Sequence, residues 1–316
     1  MRVLVTGGAG FVGSHLVVRL QAMGHFVSVL DDFSTGRREL PSGARLIEGD
    51  VRDSSIVRQA LQGQDAVFHL AAVVGVPHAM ARQWDSLTTN IVGTLRILEA
   101  IEGEGTPLLL CSSSAIYGKT LRVPVQEEDD VQLGNTHVAS WTYSYAKLAE
   151  ELFARAAHAE RGTRVKIVRL FNAIGPGQSG RYGMVVPRLV ARALAGQPLL
   201  VYGDGEQTRT FVDVRDAVAG MLLVWEWGRW GDVYNVGGVE EVRIADLARR
   251  IIALTASRST IQLVPYDQAF GARFEETPRR VPRIDKVRSL GYEPRITLDE
   301  TILAVAASLG AAEEEA

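Results

Sequence analysis

Cysteine is almost absent from this sequence: Cys111 is the only one among 316 residues. A single thiol excludes an intrachain disulfide framework and a cysteine-based zinc cluster. The six histidines show no metal-ligand spacing either, so we predict a protein without a bound metal. We expect Cys111, which lies in an apolar segment, to be a small buried side chain.

Long hydrophobic runs and an excess of basic charge are also missing. No segment approaches about 18 consecutive apolar residues, which argues against a membrane-spanning helix. Residues 1–20 have no basic segment followed by a long apolar run, so they do not resemble a secretory signal. The net charge of −3, with both signs interspersed, lacks the basic face of a nucleic-acid-binding protein. We therefore expect a cytoplasmic protein that binds neither membranes nor nucleic acid.

What is present is a regular alternation of apolar runs and amphipathic stretches. Six apolar runs predict strands, at residues 3–6, 26–30, 45–48, 66–70, 108–111 and 165–170. Helical spacing is found between them at residues 13–23, 87–101 and 143–159. Strands that alternate with helices indicate βαβ units, and hence an α/β fold with a doubly wound parallel sheet of the Rossmann type.

The texture of the sequence changes after residue 172, where glycine and proline cluster. Beyond it we predict helices at 187–195, 214–225 and 245–254, a hairpin-like polar piece at 199–209, and a loop-rich tail. The predicted units are a dinucleotide-binding domain over residues 1–172 and a smaller α/β substrate lobe over residues 173–316. Their elements are interleaved, so the boundary is approximate.

A glycine-rich segment, Thr6-Gly-Gly-Ala-Gly-Phe-Val-Gly13, lies where the first predicted strand meets the first helix. Its glycines permit a tight turn, a close approach of the backbone to a pyrophosphate, and close helix–strand packing. The helix N-terminus adds N–H donors and the positive end of its dipole. The spacing, Gly-x-x-Gly-x-x-Gly, departs from the general Gly-x-Gly-x-x-Gly fingerprint. The residues predicted to bind a dinucleotide here are Gly7, Gly10, Phe11, Val12 and Gly13.

The choice of cofactor depends on Asp31, which ends the second predicted strand 18 residues beyond Gly13. A carboxylate in this position binds the adenosine ribose hydroxyls. It also repels a 2′-phosphate, by about 4 kcal/mol at a separation of about 4 Å and an effective dielectric near 20. We therefore predict NAD rather than NADP, although Arg37 and Arg38 would offset part of this repulsion.

Tyr143 and Lys147 are four residues apart on a predicted helix, so both side chains share one face. A serine run, Ser112–Ser114, follows the strand at 108–111, and the three groups can converge at the C-terminal edge of the sheet. A base must take the proton when an alcohol is oxidised. The phenol has an ordinary pKa near 10, and lowering it to about 7 requires about 4 kcal/mol. The ammonium of Lys147 and a cationic nicotinamide can supply this stabilisation.

Several of these motifs occur together in one order, and in this the sequence resembles the extended short-chain dehydrogenases of the NAD-dependent sugar epimerase/dehydratase family. The resemblance covers residues 1 to about 303. The segments that carry it are residues 6–13, 30–36, 49–53, 69–72, 89–90, 112–118, 143–147, 169–172, 202–211 and 234–237. It implies NAD as cofactor and a nucleotide sugar, for which a UDP-sugar is our expectation, as substrate.

The resemblance also implies roles for individual residues. Ser113 becomes the catalytic hydroxyl, beside Tyr143 and Lys147. Besides the glycine loop and Asp31, the expected NAD contacts are Asp32, Ser34, Asp50, Val51, Leu70, Ala71, Ala72, Asn90, Tyr143, Lys147 and Phe171. Asp50 is equally well explained as a turn residue. The expected substrate contacts are Ser113, Ser114, Asn172, Val186, Tyr202, Arg209 and Arg273. Arg209 would hold the diphosphate, and either Arg273 or Arg279 would be its second arginine.

Departures from the family pattern bear on the reaction. The 4,6-dehydratases follow the catalytic hydroxyl with Asp-Glu, whereas this chain has Ser114 and Ala115. The decarboxylases of nucleotide-linked glucuronate usually have a glutamate where Ala115 stands. We therefore predict a 4-epimerase resembling the UDP-glucose 4-epimerases, with a UDP-glucuronate decarboxylase as the alternative. The family further implies a homodimer, paired through the helices around 87–101 and 143–159.

Overall fold

The computed structural model describes residues 1–36, 38, 40–120, 122–180, 183–271 and 274–314. Fourteen strands are found among these residues: β1 (Arg2–Thr6), β2 (Phe26–Asp31), β3 (Arg45–Glu48), β4 (Ala66–His69), β5 (Leu108–Ser113), β6 (Val165–Leu170), β7 (Ala173–Ile174), β8 (Leu199–Tyr202), β9 (Thr208–Thr210), β10 (Val212–Asp213), β11 (Val233–Val236), β12 (Glu241–Arg243), β13 (Ile261–Val264) and β14 (Arg279–Arg280). All six predicted strands are present.

Twelve α-helices lie in the same ranges: α1 (Phe11–Ala22), α2 (Ser54–Leu61), α3 (Val76–Ala81), α4 (Gln83–Leu87), α5 (Gly93–Glu102), α6 (Thr142–Arg161), α7 (Val185–Leu194), α8 (Val214–Trp227), α9 (Ile244–Leu254), α10 (Tyr266–Phe270), α11 (Asp285–Arg288) and α12 (Leu298–Glu314). A π-helical stretch, Thr88–Val92, joins α4 to α5, so the single helix predicted at 87–101 is irregular at its start.

The central sheet has seven parallel strands in the order β3-β2-β1-β4-β5-β6-β11. Because βαβ crossovers place helices on both faces, the strands of such a sheet are buried on both sides. Accordingly β4 is buried along its whole length, and β5 and β6 nearly so. The doubly wound parallel α/β fold predicted from the sequence is confirmed, with its strands ending at one edge where a ligand can bind.

The seventh strand corrects the division at residue 172. β11 pairs in parallel with β6 and so completes the sheet of the first unit, although it lies some sixty residues beyond the predicted boundary. Helix α8 also packs against α1, burying Met221 and Val224 in the same core as Leu16 and Leu20. Residues 214–236 therefore belong physically to the first unit, and the chain enters the second unit on both sides of them.

Two further predictions in the C-terminal half are wrong. The piece at 199–209 is no hairpin, since β8 pairs in parallel with β13 whereas β9 pairs with β12 and β14. The tail is no loop, since α12 packs on α7 and α9 and buries Ile302 and Val305. Both elements are held by partners distant in sequence, which local patterns do not reveal.

Among the described residues, every helix is too short or too polar to span a bilayer. No three histidine, cysteine, aspartate or glutamate side chains among these residues are grouped so that they could hold a metal ion.

Candidate active site

A large cleft, of about 1680 Å³, opens at the C-terminal ends of β1, β2, β4, β5 and β6. Its walls come from the first unit on one side and from α7, β8, β9 and the segment before β14 on the other. Pockets for single small molecules usually measure about 300–1,000 Å³. The cleft therefore has room for a dinucleotide and a second nucleotide ligand together.

The glycine loop forms one end of the cleft, and Gly7, Gly10, Phe11, Val12 and Gly13 all line it. Gly7 has φ +69°, a left-handed conformation that favours glycine. A Cβ on Gly7 would lie 2.6 Å from the backbone nitrogen of Ala71. A Cβ on Gly13 would lie 2.1 Å from the carbonyl oxygen of Gly7. Only glycine fits at these two positions, and the loop thus leaves the first turn of α1 open to an anion.

Asp31 lies beside this loop at the end of β2 and lines the cleft. Its carboxylate accepts hydrogen bonds from the backbone nitrogens of Ala9 and Phe33, both at 2.9 Å. Burial raises the pKa of Asp31, and the two backbone hydrogen bonds oppose this by stabilising the carboxylate. The side chain is thereby fixed at the position where the adenosine ribose of a dinucleotide is expected.

Two arginines, Arg37 and Arg38, could favour binding of a 2′-phosphate. Arg37 lies outside the described residues. Arg38 donates two hydrogen bonds to the exposed Glu48, at 3.1 and 3.2 Å, and its guanidinium stacks over Phe33 at 4.8 Å. The Arg38 guanidinium is therefore engaged outside the cleft, whereas Asp31 is one of the residues that line it.

We expect the protein to bind NAD at least about ten-fold more tightly than NADP, because Asp31 repels a 2′-phosphate. Asp31→Asn should narrow this preference. Asp53→Asn is the matched control, since Asp53 caps α2, where its carboxylate accepts from the backbone nitrogen of Ser55 at 2.8 Å, and it is not one of the cleft-lining residues. Isothermal titration with both cofactors measures the ratio. Tighter binding of NADP by the wild type would show that an arginine dominates this end of the cleft.

Further predicted cofactor residues are found along the same wall. Asp32, Ser34, Val51, Leu70, Ala71 and Ala72 line the cleft. Asp50 does not, because Arg52 grips its carboxylate through Nε and Nη2, at 2.8 and 2.5 Å. Arg52 lines the cleft in its place. The NAD contact expected of Asp50 is thus corrected. Asp50 orients the side chain of Arg52 and also accepts from its backbone nitrogen at 2.8 Å, which agrees with the alternative explanation as a turn residue.

Asn90 and Phe171 are also placed away from the cleft. Asn90 is fully buried, and its Oδ1 accepts from the backbone nitrogen of Val73 at 2.8 Å. It supports the cleft wall from behind. Phe171 is fully buried against Tyr117, with ring centroids 6.1 Å apart, because its side chain is turned into the core. The resemblance implies that both side chains contact NAD. This expectation is corrected, because neither side chain lines the cleft.

The three predicted catalytic side chains come together in the middle of the cleft. Ser113 ends β5, while Tyr143 and Lys147 lie one turn apart on α6, and all three line the cleft. The Ser113 hydroxyl lies beside the Tyr143 phenol and acts to lower the pKa of that phenol. Lys147 Nζ donates to the carbonyl oxygen of Cys111 at 2.9 Å. A hydroxyl, a phenol and an ammonium are therefore adjacent, as the chemistry of alcohol oxidation requires.

The charge state of Tyr143 differs from the expectation. Burial raises the pKa of its phenol above the ordinary value; Lys147 lowers this pKa, and the carboxylate of Glu150 raises it again. Lys147 alone therefore does not make Tyr143 a base at neutral pH. The positive nicotinamide, as a second cation beside the phenol, is the remaining contribution in our argument.

Tyr145, the other tyrosine on this helix, is turned away from the serine. Its hydroxyl donates to the carbonyl oxygen of Gly134 at 2.7 Å. Tyr145 lies on the side of α6 that packs against this loop, whereas Tyr143 is one of the cleft-lining residues. The helix register predicted from the spacing to Lys147 is the one observed.

On the substrate side, Ser114, Asn172, Tyr202 and Arg209 line the cleft. Asn172 is held by a hydrogen bond from its Nδ2 to the carbonyl oxygen of Thr210, at 2.7 Å. Arg209 pairs with Glu276 and also donates to the carbonyl oxygen of Thr208 at 2.7 Å. Val186 is fully buried in the core of the second unit, and its neighbours Val185 and Pro187 face the cleft in its place.

The second arginine is neither of the two candidates from the sequence. Arg273 lies outside the described residues. Arg279 points to the surface, where its Nε and Nη2 donate to Glu241 at 2.7 and 2.8 Å. Arg280, the next residue, lines the cleft near Arg209 and Tyr143. Successive residues of a strand point to opposite faces, so only the register of β14 distinguishes Arg279 from Arg280.

The guanidinium of Arg280 has a buried hydrogen-bond donor without a partner among the described residues. Burial, reinforced by the neighbouring Arg209, lowers the pKa of its guanidinium to about 10, so it is cationic at neutral pH. Its Nε is buried and has no hydrogen-bond partner among the described residues. A buried donor without a partner is costly, so this group indicates an anionic ligand.

An aromatic wall closes the far end of the cleft. It is made by Tyr202, Tyr266, Phe270 and Phe274, with the Phe270 and Phe274 rings stacked at 4.3 Å. Arg188 lies over Tyr202, 4.2 Å from the ring centroid, and its buried Nε has no hydrogen-bond partner in the described part of the chain. Flat apolar faces next to unpaired donors suit a planar polar group such as a nucleobase.

Known proteins share this architecture along the whole chain. A UDP-N-acetyl-alpha-D-glucosaminuronate decarboxylase from Bacillus cytotoxicus is 36% identical over 305 residues, which cover 95% of this chain and 94% of that protein. The structure of a UDP-glucose 4-epimerase from Thermotoga maritima with UDP-glucose superposes with a TM-score of 0.91 at 28% identity, covering 99% and 100% of the two chains. The NAD complex of a UDP-glucose 4-epimerase from Thermus thermophilus gives a TM-score of 0.89 at 28% identity, covering 99% and 100%.

The residues found here fit the NAD of the Thermus thermophilus complex: a glycine loop in which a Cβ on Gly7 or Gly13 would clash with the backbone, a carboxylate at the ribose site, and an ammonium beside the phenol. The model of the NAD-dependent epimerase/dehydratase family matches residues 3–237, which is most of the chain. The parallel sheet, the glycine loop and the Ser–Tyr–Lys site agree with this match: the chain belongs to this family and uses NAD as its cofactor.

Proposed function

We propose that this protein is a decarboxylase of a UDP-linked uronic acid, which oxidises the sugar at C4 and then releases its C6 carboxylate as carbon dioxide. The site geometry supports the C4 oxidation, which epimerases and decarboxylases share. The choice between them rests on one observation: the decarboxylase from Bacillus cytotoxicus is 36% identical over nearly the full length of both chains. This replaces the epimerase that we predicted from the sequence.

The chemistry requires little beyond the first oxidation. NAD would supply reversible hydride transfer at C4, and the glycine loop, Asp31 and Lys147 are the residues that would hold it. Tyr143 takes the proton of the 4-hydroxyl, and Ser113 holds the same oxygen. The resulting ketone is β to the carboxylate, so the C5–C6 bond breaks and its electron pair passes to the C4 oxygen as an enolate. Carbon dioxide leaves, C5 takes up a proton, and Tyr143 gives its proton back as C4 is reduced.

The arginines divide the anionic parts of such a substrate between them. Arg209 lines the cleft, where it forms an ion pair with Glu276. When substrate binds, the guanidinium would leave this partner and bind the diphosphate. Arg280 lines the cleft near Tyr143 as well as near Arg209, and Tyr143 acts to raise the pKa of its guanidinium. An unpaired cation there would hold the C6 carboxylate. The aromatic wall, with Arg188, would take the base.

Ala115 is the feature that favours the second candidate, a 4-epimerase. With Ala115 after Ser114, the chain has no carboxylate at the position where decarboxylases usually have a glutamate. An epimerase needs none, because the ketone only rotates before it is reduced on its other face. A decarboxylase also needs no acid to break the C–C bond of a β-keto acid, but C5 must then be protonated by water or by a cation such as Arg280.

Incubation of the purified protein with five UDP-sugars tests the proposal. We expect UDP-glucuronate or UDP-N-acetylglucosaminuronate to release carbon dioxide and give a product lighter by its mass. UDP-glucose, UDP-galactose and UDP-N-acetylglucosamine should be returned unchanged, and Tyr143→Phe provides the background for every substrate. Interconversion of the neutral sugars without release of carbon dioxide from the uronates would instead establish the epimerase.

A further inference from the structure

Lys147 has an unusual environment for a cationic side chain. Its exposure is 2%, and its Nζ donates to two groups, the carbonyl oxygen of Cys111 and Oε2 of Glu150, each at 2.9 Å. Glu150, one turn further along α6, is fully buried. It does not line the cleft, so it contacts neither cofactor nor substrate directly.

A polar path leads from Glu150 to the other end of the site. Thr94 lies beside the Glu150 side chain, and its hydroxyl is 3.1 Å from Nε2 of His69. Nδ1 of His69 lies 2.6 Å from the hydroxyl of Thr6, where β1 runs into the glycine loop. Burial lowers the pKa of His69 to about 3, so this histidine is neutral and offers Glu150 no charge.

The groups that face Lys147 contribute unequally to its charge. Burial raises the pKa of the Cys111 thiol to about 11, so the thiol is neutral at physiological pH. Burial also raises the pKa of Tyr143, and that phenol is neutral in the absence of ligand. Burial raises the pKa of Glu150 to about 7, so its carboxylate is ionised on the alkaline side of neutrality. On the alkaline side of neutrality, Glu150 is therefore the negatively charged group that faces Lys147.

When a lysine is buried without a counter-charge, its pKa falls by up to several units below the ordinary value, so it loses its proton readily. In this site burial lowers the pKa of Lys147, but the groups around it raise this pKa, Glu150 the most, and the net direction is upward. The ammonium can then stabilise a phenolate one helical turn away throughout the range in which the enzyme works.

We propose that Glu150 is a positioning residue, which supplies the buried counter-charge that keeps Lys147 protonated and directed toward Tyr143. The proposal rests on the proposed function, in which Tyr143 takes the proton of the 4-hydroxyl, because the ammonium of Lys147 is the cation beside that phenol. It concerns the free protein, however, and its test requires no substrate.

The sequence makes the measurement direct, since it contains four lysines, Lys119, Lys147, Lys166 and Lys286. Protein labelled with ¹³C-lysine will give four side-chain signals, and loss of one in Lys147→Arg assigns Lys147. We expect Lys147 in the wild type to titrate above about 10.4, the ordinary value for lysine. In Glu150→Gln, which keeps the shape but removes the charge, the midpoint should fall by at least about one unit. Glu150→Asp should restore most of it.

Glu151→Gln is the matched control, because Glu151 is the next residue of α6 and is also buried, but pairs with Arg169 at 2.9 Å. It should leave the Lys147 titration in place even if it lowers stability. An unchanged Lys147 midpoint in Glu150→Gln would overturn the proposal. If that variant does not fold, the wild type decides: a midpoint at or below about 10.4 would overturn it equally. Neither result depends on which UDP-sugar, if any, is turned over.

Discussion

Tyr143→Phe is expected to lower turnover by about 10²–10⁴-fold, the usual contribution of a positioned acid–base group. The change removes the phenol oxygen beside Ser113, yet it leaves the shape of the cleft almost unaltered. NAD and substrate should therefore bind with near wild-type affinity while the chemical step fails. Steady-state kinetics, combined with equilibrium titration of NAD, separate the two effects.

Tyr145→Phe is the control on the same helix, because its hydroxyl donates to Gly134 rather than to the catalytic serine. It should retain most of the activity. Ser113→Ala should cost less than Tyr143→Phe, since the phenol can still reach the substrate proton without it. Wild-type turnover in Tyr143→Phe together with an inactive Tyr145→Phe would mean that the assignment of the base is wrong.

Gly13→Ala is expected to reduce NAD affinity by at least about 100-fold, equivalent to about 2.7 kcal/mol. Its new Cβ would lie 2.1 Å from the carbonyl oxygen of Gly7 and 2.8 Å from Cα of Gly8. Overpacking costs about 1–3 kcal/mol even where side chains can move aside. Here the crowded atoms are backbone, so the loop itself must shift and lose its fit to the pyrophosphate. Isothermal titration measures the loss, and circular dichroism checks that the variant is folded.

Gly103→Ala is the matched control, because it changes a glycine at the end of α5 where an added Cβ would meet no atom within 4 Å in the described structure. NAD binding should be unaffected there. If Gly13→Ala bound NAD as tightly as the wild type, the close approach of loop and cofactor would be refuted.

The parts of the site that could be predicted from sequence are those set by local spacing. Tyr143 and Lys147 share a face because four residues make about one helical turn. Gly13 is required by its contact with the carbonyl oxygen of Gly7 in the same loop, and the φ of +69° at Gly7 is itself a local property of the turn. The parts that could not be predicted depend on which of two neighbouring residues faces the cleft. Arg279 and Arg280 are one such pair, where the first is exposed and the second lines the cleft.

Phe171 and Asn172 are a second pair of this kind. Phe171 is buried in a core cluster with Ile116 and Val125, whereas Asn172 lines the cleft. Both follow β6, and the sequence motif that contains them does not specify which side chain turns inward. The helical tail and β11 were missed for another reason. Helix α12 packs on α7, and β11 pairs with β6, in both cases across more than sixty residues of sequence, and a local pattern carries no information on such contacts.

The position of β11 has a consequence for biosynthesis. β6 has its outer hydrogen-bonding edge covered by residues 233–236, which emerge from the ribosome long after β6 itself. Until then a nascent chain that has already formed the first six strands presents an open, apolar strand edge of the kind that pairs with other chains. The cofactor-binding sheet is thus completed late, and a fragment that stops at residue 172 would keep this aggregation-prone edge permanently.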